Sequence, residues 1–323
     1  MPDSPKQFIL KPETLAGLGA LVLGPKGPLS PLRYDGPVPL PEEQARALRE
    51  AGVLDRAGRP SEQSKETLVA LAETKSFARV RLAAGKRFYD HTVYFAPRFD
   101  RAVAFTLLPD GVLIRDPAPT GEILEGLRQH TGGSLIRVAE FSAVCGFETA
   151  FVLAAALDFH RHAILSGIVS GANSGTPAFD AETLAGFARG LPSSPQWLYH
   201  VARDLVERKE PAEAAVFHAG LRELLEAGRL RREGERCVLA DAARDLAEAL
   251  PLVELVLTLN AARELPGGEV TMAGMRALQA GVRAVLTLDV DRDALHFECL
   301  SASALVEFLH FFLSNPGAVR GGG

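Results

Sequence analysis

Cysteine is scarce in this chain: three in 323 residues, Cys145, Cys237 and Cys299. They stand far apart, form no Cys-x-x-Cys pair and have no histidine at ligand spacing, which excludes a disulfide framework and a zinc knuckle. They read as buried thiols in a reducing compartment, so the expected location is the cytoplasm. Long apolar runs are also missing. The best candidate, residues 147–157, is interrupted by Glu148 and closed by Asp158, short of the ~20 residues that cross a bilayer. Residues 15–24 follow Glu13 and lead into Pro25-Lys26-Gly27-Pro28 without a small-x-small cleavage pattern, so no signal peptide is expected. Positive charge is not in excess either. A formal net charge of −5 gives no bulk attraction to phosphate backbones or anionic membranes, and any nucleic-acid role would need a local patch. What remains, 47% hydrophobic and 23% charged residues, is the composition of a folded soluble protein.

Familiar chemical motifs are absent as well. Gly171-Ala172-Asn173-Ser174-Gly175-Thr176 lacks the Gly-Lys-Ser/Thr ending of a phosphate-binding loop and the Gly-x-Ser-x-Gly elbow of a nucleophile. It reads as a surface loop. His160-Arg161-His162 could ligate a metal only from an extended segment, because on a helix residues two apart point to different faces. Asp289, Asp291 and Asp293 alternate as in a calcium loop, but Ala294 stands at the sixth position and Leu300 at the twelfth, where glycine and a bidentate glutamate are needed. That run reads as a polar hairpin turn. No metal, cofactor or catalytic constellation is named, and a non-enzymatic role is expected.

What the chain does contain is a pattern used twice. Residues 50–58 read Glu-Ala-Gly-Val-Leu-Asp-Arg-Ala-Gly and residues 226–234 read Glu-Ala-Gly-Arg-Leu-Arg-Arg-Glu-Gly. Residues 102–127 can also be laid without gaps on residues 284–309. Both stretches run strand, polar turn, strand, Ser/Thr-bearing cap, helix. The expected fold is α+β with two pseudo-repeated lobes. Each lobe holds a helical hairpin of winged-helix type, an antiparallel meander and a closing helix. The expected division is an N-terminal lobe over 1–135, a helical connector with a Gly/Ser loop over 136–210, and a C-terminal lobe over 211–323.

Within the first lobe, Phe8-Ile9-Leu10 reads as a strand and 14–22 as a helix or strand. Six prolines and three glycines make 24–41 a loop, since proline removes donors and glycine permits turns. Pro41-Glu42-Glu43 starts a helix that Gly52 ends, and a second helix covers 62–72. Strands are expected at Val80 and Leu82, at 89–96, 102–108 and 112–115, with helix 120–130 closing the lobe. Residues 136–208 read as mostly helical. In the second lobe helices are expected over 212–227 and 240–250. Strands follow over 253–261, 270–272, 282–288 and 295–299, then helix 301–313. Gly321-Gly322-Gly323 reads as a frayed tail.

Comparison of the two copies yields the candidate contact residues. Ile123, Leu124 and Leu127 match Leu305, Val306 and Leu309 as the shared core face. Gly126, Gln129 and His130 match Phe308, Phe311 and Phe312, so the second copy has gained three aromatics where the first is small or polar. An apolar face of that kind marks a surface for a protein partner. Trp197, beside Pro195 and Tyr199, is a further candidate anchor. The alternative is a DNA-binding regulator carried by Arg229, Arg231, Arg232 and Arg236, although Glu223, Glu226, Glu233 and Glu235 are interleaved with that cluster and Arg222.

The opening, with Phe8-Ile9-Leu10, Leu15, Leu18, Leu21 and the Pro-rich segment 24–31, resembles the start of the EspG family, cytoplasmic chaperones of type VII (ESX) secretion. Gly281-Val282-Arg283-Ala284-Val285-Leu286, the turn 289–293 and the stretch 295–309 are similar to that family's C-terminal lobe. The long central loop departs from the family pattern. The resemblance implies a non-enzymatic chaperone that binds an aggregation-prone export substrate through its C-terminal lobe and sheet. The partner would be a protein with a helical, apolar-tipped segment, or a component of the secretion apparatus.

Overall fold

The structure, a computed structural model, describes residues 6–22, 25–32, 40–96, 101–171, 175–207, 213–281 and 284–314. Expectations for parts of the 24–41 loop, for Pro97, for 172–174, for Ala212, for Val282 and for the Gly321-Gly322-Gly323 tail lie outside those residues.

Strand β1 (Lys6–Leu10) leads into a single turn α1 (Pro12–Leu15), continued as a 3-10 helix over Ala16–Leu21. A helical pair follows, α2 (Glu42–Glu50) and α3 (Glu62–Ala72). Pro41 precedes α2, whose first turn carries Glu42 and Glu43 at the positive helix end. Gly52, at φ 75°, supplies the left-handed backbone that turns the chain out. Ser61 caps α3 by accepting from the Ser64 N–H at 3.2 Å. Then come β2 (Ser76–Ala84), β3 (Arg87–Ala96), β4 (Arg101–Leu108), β5 (Gly111–Asp116) and α4 (Thr120–Thr131).

The second half begins with β6 (Ser142–Gly146), followed by α5 (Phe147–Ser170), α6 (Ala181–Gly190), α7 (Leu198–Leu205) and α8 (Ala214–Glu226). A hairpin of β7 (Leu230–Glu233) and β8 (Arg236–Leu239) separates α8 from α9 (Asp241–Ala249). The meander β9 (Leu255–Glu264), β10 (Val270–Ala280), β11 (Ala284–Asp291) and β12 (Ala294–Leu300) ends in α10 (Ala302–Ser314).

Ten strands form one sheet in the order β1-β5-β4-β3-β2-β9-β10-β11-β12-β6. Read outward from its centre, each half repeats the same progression: four meander strands, then the strand that preceded that half's helices. The seam is the antiparallel pair β2 and β9, from Ser76↔Arg263 to Ala84↔Leu255. Alternation along the strands sends side chains to two layers. On one face α4 and α10 pack together over the seam, burying Val80, Leu82, Leu257, Leu259, Ile123 and Leu305. On the opposite face α2 and α3 cover the first half over Leu71, Phe105 and Ile114, and α5 to α9 cover the second over Leu286, Leu288 and Phe297.

Three expectations need correction. The mostly helical reading of 136–208 leaves out a strand, β6, which docks on β12 from Glu298↔Ser142 to Ala294↔Gly146. Residues 270–272 are only the start of the eleven-residue β10, which pairs with β9 from Val270 and with β11 from Met275. Finally, α5 runs 24 residues and is long and apolar enough to cross a membrane, contrary to the reading of 147–157 alone. In this fold it is the central helix of the larger core, buried on all sides from Ala150 to Asp158.

Two buried charges fasten α5 to its neighbours. Asp158 and Arg161 are 0% and 1% exposed and pair at 2.6 Å. The Asp158 carboxylate also accepts from the Tyr199 N–H at 2.9 Å, at the positive end of α7. The Arg161 Nε donates to the Leu250 carbonyl at 2.5 Å, just past the end of α9. Each charge thereby compensates a helix terminus as well as its partner. Burial pushes the Asp158 carboxyl up to about 6, against the pull of Arg161 and the α7 amides.

Candidate protein-binding site

Helix α10 begins where the Ser301 hydroxyl accepts from the Ala304 N–H at 3.1 Å. Leu305, Leu309, Phe312 and Leu313 recur at helical spacing and are buried against the sheet and α4. Phe308 and Phe311 lie on the flank of that stripe and are 41% and 54% exposed. Beside them the strands run on past the cover of the helix, leaving a groove of about 380 Å³. Met275 and Phe312 line its apolar part, and Asp289 and Glu298 contribute carboxylates.

This arrangement separates the three aromatics. Phe312 is 4% exposed, so its expected place on the exposed face is corrected: it is a core residue that also lines the groove. The cause is register, since Phe312 follows Leu305 by seven positions and Leu309 by three and so shares their inward stripe. Phe308 stacks on it with ring centroids 6.0 Å apart and an interplanar angle of 28°. Burial raises the Asp289 carboxyl above its ordinary range, opposed by His296 on the neighbouring strand. The groove therefore suits an apolar side chain with a hydrogen-bond donor or cation beside it. At the matching place in the first half, the His130 Nε2 lies 3.0 Å from the Tyr89 hydroxyl, and the helix flank offers no aromatic rim.

Trp197 stands elsewhere, at the start of α7 on the other face of the sheet. It is half-buried, with the Arg161 guanidinium 5.9 Å from its ring and Phe187 perpendicular at 6.3 Å. Its ring packs where α5, α6 and α7 meet. The structure does not bring it together with Phe308 and Phe311.

The four arginines lie around the β7–β8 hairpin. Arg229 sits over the Phe141 ring at 5.8 Å, and Arg231 contacts both Glu233 and Asp241 at 3.4 Å. Arg232 and Arg236 are exposed. The hairpin falls between α8 and α9, whereas a DNA-reading pair joins its helices by a short turn. The outward residues of α9 include Asp241, Asp245 and Glu248, which would repel phosphates.

Sequence reading missed a second feature, a charged row made only when the halves meet. Across the seam the register aligns Asp90, Arg81, Thr258 and Arg276 on four strands, with Arg79 and Asn260 in the next row. The buried Asp90 carboxylate accepts from Arg79 at 2.5 Å and lies 3.3 Å from the Arg81 Nε. Burial and the neighbouring Arg81 lower the Arg276 guanidinium, while Asp204 of α7 works the other way. Alternating arginines in β2 and the nearby Asp90 are legible in the sequence, but their neighbours across the seam, Thr258, Asn260 and Arg276, belong to the other half of the chain.

The fold is thus an α+β sheet with an aromatic-rimmed groove beside its closing helix. No protein-family model matches the sequence, and no curated protein sequence matches it. The fold does have a counterpart among solved structures. The type VII secretion system chaperone EspG5 of Mycobacterium tuberculosis, solved in complex with the PE25–PPE41 dimer, is similar over 96% of both chains. The TM-score is 0.50 and the identity 12%. That likeness is one of architecture.

Proposed function

We propose that this protein is a non-enzymatic, cytoplasmic binding module of chaperone type. It holds a helical, apolar-tipped segment of another protein against α10. The observation that carries the proposal is the pair Phe308 and Phe311, exposed at the edge of a groove where the matching positions of the first half hold Gly126 and Gln129. Exposed aromatics beside a preformed groove are the usual anchors of a protein interface. The shared architecture of EspG5, which is complexed with the PE25–PPE41 dimer, supports a protein as the partner; that it is a secretion substrate is part of the proposal. The carboxylates of Asp289 and Glu298 add that the bound tip carries a lysine, arginine or hydroxyl next to its apolar residue. We further propose that the two halves of the sheet descend from one duplicated unit. The 1–135 segment is one copy and 211–323 is the body of the other, and the helical connector 136–210 carries in β6 the strand that matches β1.

Tagged protein recovered from nuclease-treated native extract should retain one small helical protein in fixed ratio. Retention of nucleic acid alone, with steep salt dependence lost on replacing Arg231 and Arg232, would favour the DNA-binding regulator instead.

A further inference from the structure

The two edges of the ten-stranded sheet are unlike. Strand β1 carries Lys6 and is flanked by Lys11 and Pro12, which are the usual guards against edge-to-edge pairing. Strand β6 sits in the window Phe141-Ser142-Ala143-Val144-Cys145-Gly146-Phe147. That window has no charge and no proline, and it contains β-branched and aromatic residues. Among the described residues β6 pairs with β12 alone. The Phe141 carbonyl accepts from the Cys299 N–H at 2.9 Å, so Phe141, Ala143 and Cys145 direct their backbone groups inward. By alternation Ser142, Val144 and Gly146 direct theirs outward. The Val144 side chain is 62% exposed, and Leu135 and Ile136, in the segment leading to this strand, are 81% and 53% exposed.

We infer that β6 is a self-pairing edge: two copies of this chain join β6 to β6 antiparallel about a two-fold axis at Val144. This register sets Val144 opposite itself and Ser142 opposite Gly146, so every outward N–H meets an outward carbonyl. A second copy suits this edge because self-pairing places each residue of the window against an uncharged one. The axis runs perpendicular to the sheet, so both α10 grooves open on the same face of the joined sheet. The inference stands apart from the partner reading and does not depend on Phe308 or Phe311.

The test is sedimentation of the full chain over a concentration series, alongside Val144→Pro. Proline removes only an outward donor, and an edge strand tolerates it there. The expected result is a mass that rises with concentration toward twice the 34.5 kDa of one chain, and a variant that keeps the wild-type circular dichroism but stays at one chain. In addition, Val144→Cys should form an intermolecular disulfide on mild oxidation. Facing residues of a hydrogen-bonded antiparallel pair lie about 5.5 Å apart at Cα, within the reach of that bond. A wild type that remains at one chain throughout, or a dimer that Val144→Pro leaves intact, overturns the inference.

Discussion

At the scale of single residues, the three phenylalanines of α10 predict opposite phenotypes. Phe312→Ala should destabilise the fold by about 3–5 kcal/mol, the usual cost of emptying a buried aromatic site. Phe308→Ser and Phe311→Ser should stay within roughly 1 kcal/mol, because much of each ring already meets solvent. Chemical denaturation of the three variants checks this, and equal losses would place all three in the core. Asp158 gives a pH signature. Its folded carboxyl is raised to about 6 from an ordinary value of 3.8, so between those pH values the folded state binds more protons than the unfolded one. This group's contribution is therefore fully present below about pH 4 and lost as pH rises through 6. Measured against Asp158→Asn, wild-type stability should fall across that window; a relative rise would mean that the Arg161 pair outweighs burial.

At the scale of elements, α8 approaches α5 closely because position 220 has no side chain. A Cβ built there would lie 2.7 Å from Val152 Cγ2, so Gly220→Ala should cost about 1–3 kcal/mol through overpacking. An unchanged melting temperature would show that the two helices part freely. The elements themselves were legible where local signals agree. Gly52 and Gly58 have φ of 75° and 77°, and Gly228 and Gly234 have 68° and 65°, at the corresponding places of the Glu-Ala-Gly-x-Leu-x-Arg-x-Gly pattern. The polar turns Pro109-Asp110 and Arg292-Asp293 each join paired strands, Leu108↔Gly111 and Asp291↔Ala294. Strand β6 was not legible, since five small residues carry little period-2 signal and owe their conformation to β12. Nor was the full α5, because Glu148 and Asp158 look like interruptions until the pairing of Asp158 with Arg161 is seen.

At the scale of the molecule, one continuous sheet makes surfaces that neither half owns. The α4–α10 layer lies across the seam, and the cationic row of Arg81 and Arg276 exists only because β2 meets β9. The candidate groove was partly legible for a different reason. Comparing the two copies of the closing helix singled out positions 308, 311 and 312, but could not say which face of α10 the sheet would cover. That decision belongs to tertiary packing, which took Phe312 inward and left Phe308 and Phe311 at the groove. The most direct test is a binding titration of the recovered partner protein against wild type and a Phe308→Ser/Phe311→Ser double variant of matched melting temperature. The account predicts a loss of about 2 kcal/mol or more, roughly 30-fold in Kd, as for truncation of interface anchors. Equal affinity of the two proteins would contradict it and remove α10 from the binding surface.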